Sequence, residues 1–92
     1  MTEKARVEIR YCTQCKWLLR AAWIAQELLS SLAQEIGELA LVPATGGVFE
    51  IRVGDTLVWD RVRDEGFPEA KEIKCRVRDV VAPDKNLGHS DS

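Results

Sequence analysis

The chain has 92 residues, 46% of them hydrophobic and 30% charged, and thirteen basic residues against fifteen acidic ones leave a net charge of −2. That is enough chain for one compact domain and too little for two. No apolar run approaches the roughly 18 residues of a membrane-spanning helix, and the balanced charge lacks the clustered positive face of a nucleic-acid binder. Met1–Arg6 holds no apolar stretch of the secretory kind, so a cytoplasmic protein is expected, with neither membrane nor nucleic acid as partner.

Arg6 to Tyr11 alternates, with Val7, Ile9 and Tyr11 on one side and Arg6, Glu8 and Arg10 on the other, which predicts a half-buried strand. The period then changes. From about Cys15 to Ile36, Leu18, Ala21, Ala22, Ala25, Leu28, Leu29, Leu32 and Ile36 recur at three- and four-residue steps, predicting a long amphipathic helix. Thr13 is the expected N-cap and Gly37 the expected left-handed stop. Leu39–Val42, halted by Pro43, reads as a strand buried on both faces or at a sheet edge. Ala44-Thr45-Gly46-Gly47 is a turn with two residues free to take positive φ. Val48–Val53 and Thr56–Asp60 form a hairpin about Gly54-Asp55. After a polar loop, Pro68 suits the first turn of a second helix, whose stripe of Ala70, Ile73, Val77, Val80 and Val81 runs to Pro83. The order β-α-β-β-β-α predicts a two-layer α/β sandwich over residues 1–83, with 84–92 as a flexible polar tail.

Three cysteines are present, Cys12, Cys15 and Cys75. In a reducing compartment a close pair signals redox chemistry or metal binding more often than a structural staple. Cys12-Thr13-Gln14-Cys15 falls where the first strand meets the first helix. Cysteines three apart at a helix start can reach the Cα separation of about 4.4–6.8 Å that a disulfide requires. The free N–H groups and positive dipole end there favour a thiolate, the attacking species. This placement predicts an exposed, attacking Cys12 and a resolving Cys15 inside the first helical turn, with Lys16 adding positive potential. A tetrahedral zinc site wants four ligands. Cys75 and His89 are the remaining candidates and form no second close pair, so neither metal nor cofactor is expected. Cys75 reads as a partly exposed bystander thiol and His89 as solvated. Trp59 reads as core or half-buried on its strand. For Trp17 and Trp23, ordinary packing competes with a place at the rim of the thiol site or on a self-association surface, hence a homodimer.

Together, Val7-Glu8-Ile9-Arg10-Tyr11-Cys12-x-x-Cys15, Pro43-x-Thr45-Gly46-Gly47-x-Phe49-Glu50-Ile51 and Gly66-Phe67-Pro68 resemble the selenoprotein W-like (Rdx) family, from about Arg6 to Pro83. The resemblance implies a thioredoxin-like fold and a thiol–disulfide oxidoreductase role, with Cys12 and Cys15 as the reacting residues. Selenocysteine-containing members place that residue at the position of Cys15, which implies reactivity at that atom. In thioredoxins a cis-proline beside the cysteines helps to hold an extended substrate. Gly46-Gly47 stands near that place, and Thr13, Gln14, Thr45, Gly46, Gly47 and Phe49 are the expected partner-binding residues.

Two functions follow from these readings. The first is a carrier exchanging electrons with protein thiols, through the thioredoxin or glutathione systems. The alternative is a redox-sensing binding module without turnover.

Overall fold

The alternating segment of the sequence becomes the middle of the sheet. A computed structural model describes residues 4–87. Its elements are β1 (Ala5–Cys12), α1 (Leu18–Ser31), β2 (Ile36–Ala44), β3 (Phe49–Val53), β4 (Thr56–Asp60) and α2 (Ala70–Val81). The sheet order is β2-β1-β3-β4, with β1 parallel to β2 and antiparallel to β3, and β3 antiparallel to β4. This is the β-α-β-β-β-α order expected, a thioredoxin-like two-layer sandwich. The helices pack against each other, α1 also against β1 and β2 and α2 against β3 and β4. No helix among the described residues is long and apolar enough to cross a membrane.

The side chains that alternate inward from β1 and β3 meet the apolar stripes of both helices. Val7, Ile9, Phe49, Ile51, Ile24, Leu28, Leu32, Ile73 and Val77 are fully buried, each stabilising the fold by about 1.5–3 kcal/mol against exposure. The other face of the sheet carries the charges. Arg6 bridges Glu8 and Glu38, Arg10 bridges Glu8, and Arg52 bridges Glu50 on β3.

The long helix expected from Cys15 to Ile36 is shorter at both ends. Residues 13–16 form a turn, and Trp17, not Thr13, occupies the N-cap. At the other end Leu32 is the C-cap and Ile36 starts β2. Gly37 is no helix stop. It lies in β2, where an added Cβ would stand 2.8 Å from Lys4 Cβ, so it serves a close approach of two chain segments. β2 is an edge strand, which tolerates the missing N–H of Pro43 at its end.

In the turn after β2, Gly46 and Gly47 take φ of 78° and 74°, and Gly54 in the hairpin takes 58°. Pro68 precedes α2 by two residues, and Val80 faces solvent. Residues 84–87, expected as tail, are docked. Lys85 Nζ lies 3.1 Å from Glu35 Oε1, its carbonyl accepts from Arg78 Nη1, and Leu87 packs on the core. His89 lies outside the described residues.

Candidate dithiol site

β1 is hydrogen-bonded on both sides, and Cys12 is its last residue. The Cys12 N–H donates to Val48 O (2.9 Å), and the chain then leaves the sheet in a tight turn. The Lys16 N–H donates to Thr13 O (3.0 Å), and Lys16 takes a left-handed φ of 61°. The expected cap Thr13 is used differently: its N–H and its hydroxyl both donate to Ala44 O, at 3.0 and 3.2 Å. These bonds tie the cysteine turn to the end of β2, immediately before the Thr45-Gly46-Gly47 loop. Sequence elements thirty residues apart thereby form one surface.

The two sulfurs are 2.7 Å apart and both thiols are free. Their surroundings differ. Cys12 is only 1% exposed, whereas Cys15 faces solvent. This reverses the exposure expected of Cys12, because its side chain points inward at the end of a central strand. Cys15 lies in the turn ahead of α1, not inside a first helical turn.

The Cys15 S–H donates to Cys12 Sγ, and this bond is the main reason that the Cys12 thiol is held below the ordinary thiol range. Burial opposes the shift, and backbone N–H groups of Gly47, Cys15 and Gln14 add to it. The donated bond pushes Cys15 the other way, as do its own desolvation and the charge on Cys12, while Arg61 and the Gly47 N–H pull it back down. The anion at Cys12 is therefore favoured first by the Cys15 S–H and then by N–H groups of the surrounding loops, which favour anions. The helix end, three residues beyond Cys15, is not what serves it.

Of the other expected site residues, Thr13, Gln14, Thr45 and Gly46 are exposed around the pair and Gly47 is half-buried. Phe49 is fully buried and cannot touch a partner. It supports the site from below. Trp17, Phe49 and Phe67 meet edge to face, with ring centroids 4.9 Å (Trp17–Phe67), 5.1 Å (Phe49–Phe67) and 6.3 Å (Trp17–Phe49) apart. Trp17 thus packs beside the site, Trp59 is buried with its indole N–H on Gly66 O, and Trp23 remains 46% exposed on α1. Cys75 sits half-buried in α2, apart from the turn that carries the pair.

Sequence reasoning missed Arg61 and Arg20. Arg61, just after β4, donates from Nε to Gly47 O (3.1 Å) and lies 5.2 Å from the Trp17 ring centroid. Gly47 thus holds Arg61 through its carbonyl, and its N–H helps to lower both thiols. Arg20 stacks 4.0 Å over Phe67. The Gly66-Phe67-Pro68 motif was the available signal that this loop belongs to the site.

A thioredoxin-like sandwich with a reduced cysteine pair closing its central strand defines a small dithiol domain. The chain belongs to the Rdx family, whose pattern matches residues 6–79, a family associated with redox chemistry. Among solved structures it is similar to a Bordetella parapertussis protein, 60% identical with a TM-score of 0.83, over 85% of this chain and 99% of that one. It is likewise similar to a selenoprotein W-related protein from Vibrio cholerae, 52% identical with a TM-score of 0.84, over 86% of this chain and 99% of that one. None of the curated proteins matches.

Proposed function

We propose that the chain is a thiol–disulfide redox protein in which Cys15 meets the partner and Cys12 closes the internal disulfide. The observation that carries this reading is the asymmetry of the pair: one exposed sulfur and, 2.7 Å away, one buried sulfur that accepts its hydrogen bond. Exposure decides which atom meets a bulky disulfide, so Cys15 takes the encounter despite the easier ionisation of Cys12.

The exchange runs in two displacements. Cys15 passes its proton to Cys12 Sγ across their hydrogen bond and attacks one sulfur of the partner disulfide. A Cys15–partner bond forms, the partner's S–S bond breaks, and the first partner thiolate leaves and takes up a proton. Cys12 then gives up its proton to solvent and, as a thiolate, attacks Cys15 Sγ; the Cys15–partner bond breaks, and the second partner thiolate leaves and takes up a proton. The net result is one disulfide formed in this chain and one partner disulfide reduced to two thiols. The reverse sequence oxidises a partner dithiol. Protein thiols supplied through the thioredoxin or glutathione systems of a reducing cytoplasm are the partners we assign, with no cofactor or metal in either step.

The test is a redox titration with mass mapping. The protein is equilibrated in glutathione buffers of graded potential, free thiols are trapped, and the disulfide is located. A reversible Cys12–Cys15 bond at biological potentials is expected. Both thiols remaining reduced across that range, or zinc co-purifying with them, overturns the reading.

A further inference from the structure

Most of the cations in this chain are occupied by carboxylates. Arg6, Arg10, Arg52, Arg63, Lys74, Arg76, Arg78 and Lys85 each have an acidic partner within 4.0 Å. Lys4, Lys16, Arg20 and Arg61 have none among the described residues; Lys4 precedes β1 at the end opposite Cys12, whereas the other three lie on the turn that carries the pair or on the aromatic residues and loop packed beside it. Lys16 follows the exposed sulfur directly in the turn. Arg20 is held over Phe67 at 4.0 Å, and Arg61 is held by Gly47 O at 3.1 Å with its guanidinium over Trp17.

The acids of the neighbouring loop do not offset them. Asp64 is occupied by Arg63 and Arg76, Asp60 accepts from the Val62 N–H, and Glu65 is exposed and pairs with none of the three. In a chain with more acidic than basic residues, three of the four unpaired cations among the described residues fall on the elements that surround the exposed thiol of the pair. The two arginines are not free to disperse, because aromatic faces and a backbone carbonyl fix their direction. Arg61 acts against the net upward shift of the Cys15 thiol.

We infer that Lys16, Arg20 and Arg61 make the dithiol selective for anionic disulfides, those that carry carboxylates close to the reacting sulfur. The inference rests on the proposed exchange reaction and names its substrate class. The carboxylates belong either to a small acid disulfide or to acidic residues flanking a protein cysteine. In both cases the bonds made and broken are those of the exchange above, and the cations only guide and hold the charged groups beside the sulfur.

The test uses three small disulfides of similar size: 3,3′-dithiodipropionate (anionic), 2-hydroxyethyl disulfide (neutral) and cystamine (cationic). Each rate with the reduced protein is divided by the rate of the same disulfide with dithiothreitol, which removes intrinsic reactivity. At low salt the anionic probe is expected to react about 10-fold faster than the neutral one, and the cationic probe slower. High salt compresses this spread, since the Debye length falls to about 3 Å at 1 M.

Arg61→Gln should narrow the spread. Arg20→Glu with Lys16→Gln, both on exposed side chains, tests the cluster without touching the Gly47 contact, and Arg61→Lys keeps the charge and part of the preference. Disulfide-linked peptides with glutamate or lysine beside the cysteine form the second arm, and a preference confined to the peptides assigns a protein partner. Equal normalised rates for all probes, or a spread that the variants leave unchanged, overturns the inference while leaving the redox reading standing. Exchange with no probe overturns the redox reading itself.

Discussion

Replacing Asp64 by asparagine should destabilise the protein at neutral pH and progressively less in acid. Burial works against this carboxylate, but the Arg63 guanidinium, the Asp60 backbone N–H and Arg76 together bring it down from an ordinary 3.8 to about 2. The contacts are short: 2.9 Å to Arg63 Nη2, 3.0 Å to the Asp60 nitrogen and 3.2 Å to Arg76 Nη1. A carboxyl depressed in the folded chain adds stability that is fully present above its unfolded value and lost as pH falls through its folded value. The whole difference converts to at most ~2.5 kcal/mol. Arg63 is 47% exposed and Arg76 33%, so solvent screening reduces this to about 1–1.5 kcal/mol. The same two values leave about half of the contribution at pH 3. Asp64→Asn should thus lower Tm by about 5–10 °C at pH 7. Urea unfolding of both proteins at pH 7, 5 and 3, followed by circular dichroism, measures the gap directly. A gap as large at pH 3 as at pH 7 refutes the argument, because lost packing, unlike lost charge, does not titrate. The loop clamped in this way carries Arg61 and Phe67, so its stability bears on the dithiol site.

Three further outcomes follow from the geometry. Gly47→Ala places a Cβ at φ 74° and should cost about 1–2 kcal/mol in urea unfolding, while thiolate absorbance near 240 nm shows the first thiol proton leaving at higher pH than in the wild type; no change in that titration would remove Gly47 from the set that stabilises the anion. Lys16→Gly relieves a left-handed lysine and should raise stability by about 0.5–1 kcal/mol, read as a higher urea midpoint, and a lower midpoint would contradict the strain. A bulky maleimide at pH 7, with tryptic mass mapping, should label Cys15 at least ~10 times faster than Cys12, since access and not thiolate fraction governs so large a reagent; equal labelling would show that the burial of Cys12 does not persist in solution.

Much of this architecture was legible because two periodicities carry it. Val7, Ile9 and Tyr11 against Arg6, Glu8 and Arg10 mark β1 with a core face and a charged face, and both faces are so used. The pattern at α1 misled at its ends. Leu32 and Ile36 keep helical spacing yet belong to a cap and a strand, because both point into the same core from different elements. Gly37 carried the sign of a helix stop while serving a steric approach to Lys4 that only the paired chains create. At the site, the Cys-x-x-Cys spacing and the glycine pair were readable. The burial of Cys12 was not, because it depends on where the strand ends within the sheet. Arg20 over Phe67 and Arg61 against Gly47 join residues 47 and 14 positions apart, and such contacts leave no local trace in a sequence.

The location of Cys12 also determines how the site withstands damage. Its amide is bonded to Val48 and its strand is paired on both edges, so bringing that sulfur to solvent means opening the most protected part of the sheet. Cys15 needs no opening at all. A peroxide that oxidises Cys15 to a sulfenic acid does so beside Cys12, whose sulfur lies 2.7 Å from the Cys15 thiol and is held below the ordinary thiol range. Condensation of the two, with loss of water, gives the internal disulfide, which thiols can reduce. The irreversible acids further along that series require a second oxidant to arrive before this intramolecular closure. A buried neighbour would in that case guard the sulfur that solvent can reach.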